Sequence, residues 1–127
     1  MIFIIGGSYQ GKRDYTQERF GLTEADVFVC TEETIEIDFS KRIIANIERF
    51  ALGCIHRGEE PREYWEAHLG ALKDSILISD DISCGVVPID AAIRAWREAV
   101  GRANNYLARE SEQVIRVFCG IGQVIKG

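Results

Sequence analysis

The chain has 127 residues, 46% of them hydrophobic and 28% charged, with a formal net charge of −5. That length suits one compact domain, 1–127, and an acidic balance argues against general nucleic-acid binding, which favours basic surfaces. No apolar run reaches the roughly 20 residues that cross a bilayer, and the opening MIFIIGG is too short for a signal peptide, so a cytoplasmic protein with no membrane partner is expected.

IFII at 2–5 is a continuous β-branched run, the pattern of a strand buried on both faces. The glycine-rich GGSYQGKR follows at 6–13, and residues 12–20 read as a helix. DVFVC at 26–30 is a second strand candidate. TEETIEID at 31–38 alternates through Ile35 and Ile37, which permits a short strand. Phe39, Ile43, Ile44, Ile47, Phe50, Ala51 and Cys54 recur at helical spacing and predict one amphipathic helix. HRGEEP breaks it at 56–61, and Pro61 suits the first turn of another helix carrying Trp65, Leu69 and Leu72 on one side.

SILIS at 75–79 is a third buried strand, and DDISCGVVP at 80–88 is a loop at its C-terminal end. Asp90 can cap the next helix, along which Ile93, Trp96, Val100, Ala103 and Leu107 step by three and four. VIRVF at 114–118 is the last core strand, and CGIG turns the chain into a short terminal strand, QVIK. Strands alternating with helices predict an α/β three-layer sandwich around a largely parallel sheet. Ligands of such sheets sit beyond the strands' C-terminal ends, where GGSYQGKR and DDISCG both fall.

Gly6, Gly11 and Lys12 meet the pattern Gly-x-x-x-x-Gly-Lys between a strand and a helix. Glycines let the backbone turn its N–H groups toward phosphate oxygens, and the helix start adds its positive dipole end. Lys12 brings a mobile charge to the terminal phosphates. The candidate cradle is Gly6, Gly7, Ser8, Tyr9, Gln10, Gly11, Lys12 and Arg13. The residue after the lysine is usually Ser or Thr, whose hydroxyl holds magnesium. Arg13 can contact phosphate but cannot ligate a metal. Either it lies on the helix surface while other groups hold the metal, or metal binding is impaired.

Asp80 and Asp81 end a buried strand beside this loop. One of them, with Asp81 favoured, can hold magnesium or accept a hydroxyl proton; as structure, they cap a turn. Cys30, Cys54, Cys84 and Cys119 are scattered, which makes a zinc site unexpected and reads as reduced core or near-core thiols. The carboxylates Glu32, Glu33, Glu36 and Asp38 read most simply as a solvated loop. Trp96 reads as core, and His68 as a partly buried structural residue.

ILISDDISCGVVPIDAAIRAWREAVGRANNYLA at 76–108 resembles the bifunctional adenosylcobinamide kinase/adenosylcobinamide-phosphate guanylyltransferase family of cobalamin biosynthesis. That family's strand, Asn-Glu-Val-Gly type loop ending Gly-Ile-Val-Pro, and Arg-bearing helix fall without a gap on this stretch. They reach Asp80, Asp81, Gly85, Val86, Val87, Pro88, Arg94, Arg97, Glu98, Gly101, Arg102, Asn104 and Asn105. VIRVFCGIGQVIK at 114–126 is similar to the family's strand–Gly-Ile-Gly–strand ending, and GGSYQGK matches its opening.

The resemblance implies a P-loop, RecA-like architecture that binds ATP or GTP with Mg2+. It implies phosphoryl transfer to the aminopropanol hydroxyl of a cobinamide-type substrate, with Lys12 and Asp81 catalytic. The family carries an acidic segment after a strand, of Asp-Cys-Leu-Thr-Leu-Trp-x-x-Asn type. DFSKRIIAN keeps the Asp38-to-Asn46 interval, so Asp38 joins Asp81 as a candidate metal ligand. The family's histidine motif meets His56, Arg57 and Pro61, but Glu60 replaces its Arg and Trp65 lies one place late. His56 is therefore expected to be a helix-end or loop residue, and guanylyl transfer is not expected. A homo-oligomer is expected from the family. The alternative is a non-catalytic or regulatory nucleotide-binding homologue.

Overall fold

The computed structural model describes residues 1–8, 10–82 and 90–127. Its strands are β1 (Ile2–Gly6), β2 (Val27–Val29), β3 (Ile43–Ala45), β4 (Ile76–Asp80), β5 (Gln113–Phe118) and β6 (Ile121–Lys126). Its helices are α1 (Lys12–Phe20), α2 (Ile47–His56), α3 (Pro61–Ala67) and α4 (Ala91–Glu110), with 3-10 turns at Glu24–Asp26 and Leu69–Leu72. The strands form one sheet in the order β2-β3-β4-β1-β5-β6. All neighbours are parallel except β5 and β6, which form a hairpin.

Side chains alternate across a strand, so neighbours in the apolar runs serve opposite faces. Phe3, Ile44, Leu77 and Val114 pack with Phe50, Trp65 and Leu107 on the face covered by α2, α3 and α4. Ile4, Ile43, Ile76 and Ile115 pack with Tyr15, Phe20 and Leu22 on the α1 face. The result is the expected three-layer α/β sandwich around a mostly parallel sheet, a P-loop NTPase-like fold.

The single helix expected over Phe39–Cys54 is two elements. Ile43 and Ile44 lie on opposite faces of the sheet, which one buried helix stripe cannot provide. The chain leaves β3 at Asn46, whose φ of 58° is left-handed, and only then starts α2. Steps of three and four from Ile43 through Ile47 mimic a helix; the contiguous Ile43-Ile44-Ala45 run is the strand signal. Residues 31–38 form turns rather than a strand. Ile37 is buried there, and its N–H donates to the Tyr64 hydroxyl at 3.2 Å.

Asp90 caps α4 as expected, its Oδ1 accepting from the N–H of Ile93 at 2.8 Å. Cys30 and Cys54 are buried free thiols, pushed up to about 12 and about 11 by burial. Cys119, expected near the core, is instead exposed in the β5–β6 turn. Cys84 and the loop residues Gly85, Val86, Val87 and Pro88 lie outside the described residues, as does Tyr9.

In the hairpin turn, Cys119 has φ 51° and Gly120 has φ 74°. Two positive φ angles in a two-residue turn are the type I′ pattern, which prefers Asn-Gly. Left-handed backbone costs most L-residues roughly 1–2 kcal/mol and costs Asn less. Cys119→Asn should therefore raise the unfolding free energy by about 0.5–1 kcal/mol, seen as a higher Tm. An unchanged or lower Tm would contradict this account of the turn.

Candidate phosphate-binding site

β1 and β4 are neighbours with Gly6 in register with Asp80, so the glycine-rich loop leaves the sheet beside a carboxylate. Gly6 has no room for a side chain, because a Cβ there would lie 2.3 Å from the Val117 carbonyl oxygen. Gly11 has φ 80° at the entry to α1. Between them, Gln10 anchors the loop to the hairpin turn. Its backbone carbonyl accepts from the N–H of Gly120 at 2.8 Å, and its Oε1 accepts from the N–H of Cys119 at 2.7 Å.

Lys12 is buried at 6% exposure, an unusual place for an ammonium group. Its Nζ donates to the Gly7 carbonyl at 2.7 Å and lies 2.5 Å from Asp80 Oδ1. Asp80 Oδ2 accepts from the Ser8 hydroxyl at 3.2 Å. These charge-assisted contacts close the loop onto the end of β4. A cleft of about 450 Å³ opens over it, lined by Lys12, Arg13, Asn46 and Asp80 among others. The N-terminal N–H groups of α1 have no intrahelical partners. They add positive potential at the lysine that begins the helix.

The two aspartates serve different sides. The N–H of Asp81 donates to the Gly6 carbonyl at 2.8 Å. Asp81 lines a second cleft, about 500 Å³, with Ile5, Gly7, Gln10, Arg116 and Phe118. Asp80, less favoured by sequence reasoning, is the carboxylate that meets Lys12. The period-two alternation of a strand was the signal: Ile76 and Ile78 belong to the α1 face, and Asp80 continues their series.

Asp38 is not brought to this cleft. It lies in the turn before β3, where Lys41 Nζ reaches the carbonyl of Ala25, just before β2. That is the N-terminal edge of the sheet, opposite the loop. The hydroxyl and N–H of Ser40 hold its carboxyl below the usual carboxylate range. The residue that does follow β3 and lines the cleft is Asn46, the other end of the Asp38-to-Asn46 interval.

Glu48, also missed, is a buried carboxyl at 2% exposure. Its Oε1 accepts from the N–H of Asp80 at 2.9 Å. Burial pushes it above the usual carboxylate range, against the pull of that hydrogen bond, and the Asp80 carboxylate adds to the rise.

His56 is exposed at the last residue of α2. His68 donates from Nδ1 to the Tyr64 carbonyl at 2.8 Å and stacks on the rings of Phe39 and Tyr64. Arg102 forms a two-point contact with Glu60, at 3.2 and 3.0 Å, joining α4 to the start of α3. Trp96 is half-buried and donates from Nε1 to the Glu48 carbonyl at 2.8 Å.

Magnesium usually takes one or two protein carboxylates, with phosphates and water completing its shell. Asp80 fits that share; Arg13, a cation 3.8 Å from Glu24, does not. Among the described residues no cluster of three or more acidic, His or Cys groups could hold a metal without phosphate.

The family model for cobinamide kinase / cobinamide phosphate guanyltransferase matches residues 56–125, and the chain belongs to that family. It is also similar to the bifunctional adenosylcobalamin biosynthesis protein CobU of Salmonella typhimurium, 28% identical over 115 residues. That match covers 77% of this chain and 61% of the relative, so the chain spans less than two thirds of the relative's length. No helix among the described residues is long and apolar enough to cross a membrane.

The loop geometry makes two neighbouring glycines unequal. A Cβ at Gly6 meets backbone, whereas one at Gly7 lies 3.6 Å from the flexible Gln10 side chain, an ordinary contact. Gly6→Ala should cost about 1–3 kcal/mol of stability, and Gly7→Ala under about 0.5 kcal/mol, both measured by urea unfolding. Equal effects would contradict this placement of the loop.

Proposed function

We propose that the chain binds a nucleoside triphosphate, ATP or GTP, with its phosphates on Gly6–Arg13. We further propose that it transfers the terminal phosphoryl group to the aminopropanol hydroxyl of a cobinamide-type substrate. Membership of the cobinamide kinase family supports the substrate class. The observation that carries the reading is Lys12, buried and closed onto the Gly7 carbonyl and Asp80 at the start of α1. The ammonium group and the positive dipole end of α1 meet there, which suits an anionic ligand.

When phosphates arrive, Lys12 exchanges its contacts with Gly7 and Asp80 for contacts with the terminal phosphate oxygens. Asp80 then loses its ammonium partner and keeps the Ser8 hydroxyl. It is the residue that would hold magnesium, together with phosphate oxygens, and the metal would supply charge neutralisation on the transferring group. Asp81, which lines the second cleft, is the residue proposed to accept the hydroxyl proton. Asp38, at the opposite edge, has no part in this mechanism.

Guanylyl transfer is left out of the proposal. His56 ends α2 nine residues beyond Ile47, which is roughly 14 Å of helix away from the strand ends. Phe118, Ile121, Val124 and Ile125 are exposed on the terminal hairpin and support assembly of the chain with copies of itself.

A second reading is a nucleotide-binding protein without turnover. It is favoured by Arg13 in the place of the usual hydroxyl and by Asn46 in the place after β3. Calorimetry with ATP and GTP, with and without magnesium, separates the readings when paired with a labelled-phosphate transfer assay on cobinamide. The kinase predicts magnesium-dependent binding and a phosphorylated product. Lys12→Ala should weaken binding at least about tenfold, the scale of a lost charged hydrogen bond. Metal-independent binding without product favours the second reading, and no nucleotide binding at all contradicts both.

A further inference from the structure

β4 runs further toward the phosphate loop than its neighbour β3 does. The pairing of these strands covers Ile43 with Ile76 and Ile44 with Leu77, and the N–H of Ile76 donates to the Arg42 carbonyl at 2.9 Å. Stepping that bond by two along each strand would give the Ile78 N–H to the Ile44 carbonyl, then the Asp80 N–H to the Asn46 carbonyl. At Asn46 the backbone is left-handed and turns into α2, so the strand supplies no further carbonyl. An unpaired N–H in a buried position is costly. Glu48 Oε1, two residues into the turn, accepts the N–H of Asp80 at 2.9 Å and takes the place of that missing carbonyl.

We infer that Glu48 is a positioning residue of the phosphate site. Its buried carboxylate extends the sheet ladder by one bond and thereby fixes the Asp80 backbone so that the Asp80 side chain meets Lys12. The arrangement is itself held from behind. The Glu48 carbonyl accepts from the Trp96 indole at 2.8 Å, and the Arg49 guanidinium lies over the Trp96 ring, 5.6 Å from its centre. α4 therefore supports the turn that carries Glu48. A salt bridge within the helix start adds little: Arg49 Nε is 3.7 Å from Glu48 Oε2 and is half-exposed. The role in ligand binding rests on the phosphate-site reading above; the role in holding Asp80 does not.

The test compares Glu48→Gln, which keeps a side-chain oxygen acceptor, with Glu48→Leu, which removes it. In the nucleotide-free protein, native-state hydrogen exchange at the Asp80 amide should quicken at least about tenfold in Glu48→Leu. Glu48→Gln should restore most of the protection. With Mg-ATP, Glu48→Leu should raise the Kd about fivefold or more when Asp80 is present, and less than about twofold in an Asp80→Ala background, because Glu48 acts through Asp80. Near-UV circular dichroism checks that each variant is folded; if Glu48→Leu does not fold, the exchange and affinity of Glu48→Gln set against Glu48→Asp, whose shorter arm withdraws the acceptor, decide instead. Unchanged Asp80 exchange overturns the inference, as does an equal loss of affinity in both backgrounds, which marks a merely structural role. If the wild-type protein binds no nucleotide, the functional reading falls while the exchange experiment still decides whether Glu48 holds Asp80.

Discussion

The contact between Lys12 and Asp80 is the constraint that the rest of the site depends on. A lysine at the first residue of a helix ordinarily keeps its ammonium in water. Here it is buried, and burial of a charge is tolerable only with a partner and good hydrogen bonds. Asp80 and the Gly7 carbonyl supply both. For the two charges to meet, β1 and β4 must end level, and Gly6 opposite Asp80 achieves this. For the loop to bend back over its own strand, Gly6 must pass close to Val117, and Gly11 must turn left-handed into α1. The terminal hairpin then holds the loop from outside through Gln10. A pair made within the protein is also a reserve of charge. An incoming polyanion competes with a single carboxylate for Lys12, and that exchange exposes the carboxylate to whatever accompanies the anion.

The unequal lengths of β3 and β4 shape the other side of the cleft. Because β3 stops at Ala45, the chain can turn at Asn46 and lay α2 across the α4 face, with Phe50 and Cys54 buried among Trp65 and Leu107. The same turn leaves the end of β4 without a strand partner, where Glu48 fills in. Two positions that could strengthen a metal site are therefore weak donors or none. Arg13 is a cation, and Asn46 is neutral. Of the two carboxylates that line the cleft, Asp14 and Asp80, only Asp80 meets Lys12, and on the proposed reading the strength of magnesium binding is what separates a working kinase from a nucleotide binder.

Much of this fold is legible in the sequence. IFII and SILIS read as buried strands from their apolar runs, VIRVF reads as a core strand despite Arg116, and the loop between IFII and α1 is defined by glycines at fixed spacing. The Asp90 cap and the β5–β6 hairpin were legible from local chemistry alone. β3 was not, because three residues are too few to show a strand period and Ile43, Ile44 and Ile47 also satisfy a helix. That misreading hid the turn that brings Asn46 and Glu48 to the ends of β3 and β4, while Asp38, expected from its interval to Asn46 in the family resemblance, lies at the opposite edge of the sheet. The choice between Asp80 and Asp81 turns on which face each side chain takes. Alternation from Ile76 and Ile78 gives that face once β4 is assigned. The Lys12–Asp80 contact itself joins residues distant in the chain, and only strand order brings them together.

The most direct measurement is a crystal structure of the protein bound to a non-hydrolysable nucleoside triphosphate. The account predicts phosphates over residues 6–13 at the start of α1. It also predicts that Lys12 Nζ has left the Gly7 carbonyl and Asp80 for phosphate oxygens. A nucleotide bound elsewhere, with Lys12 still closed onto Asp80, would contradict it.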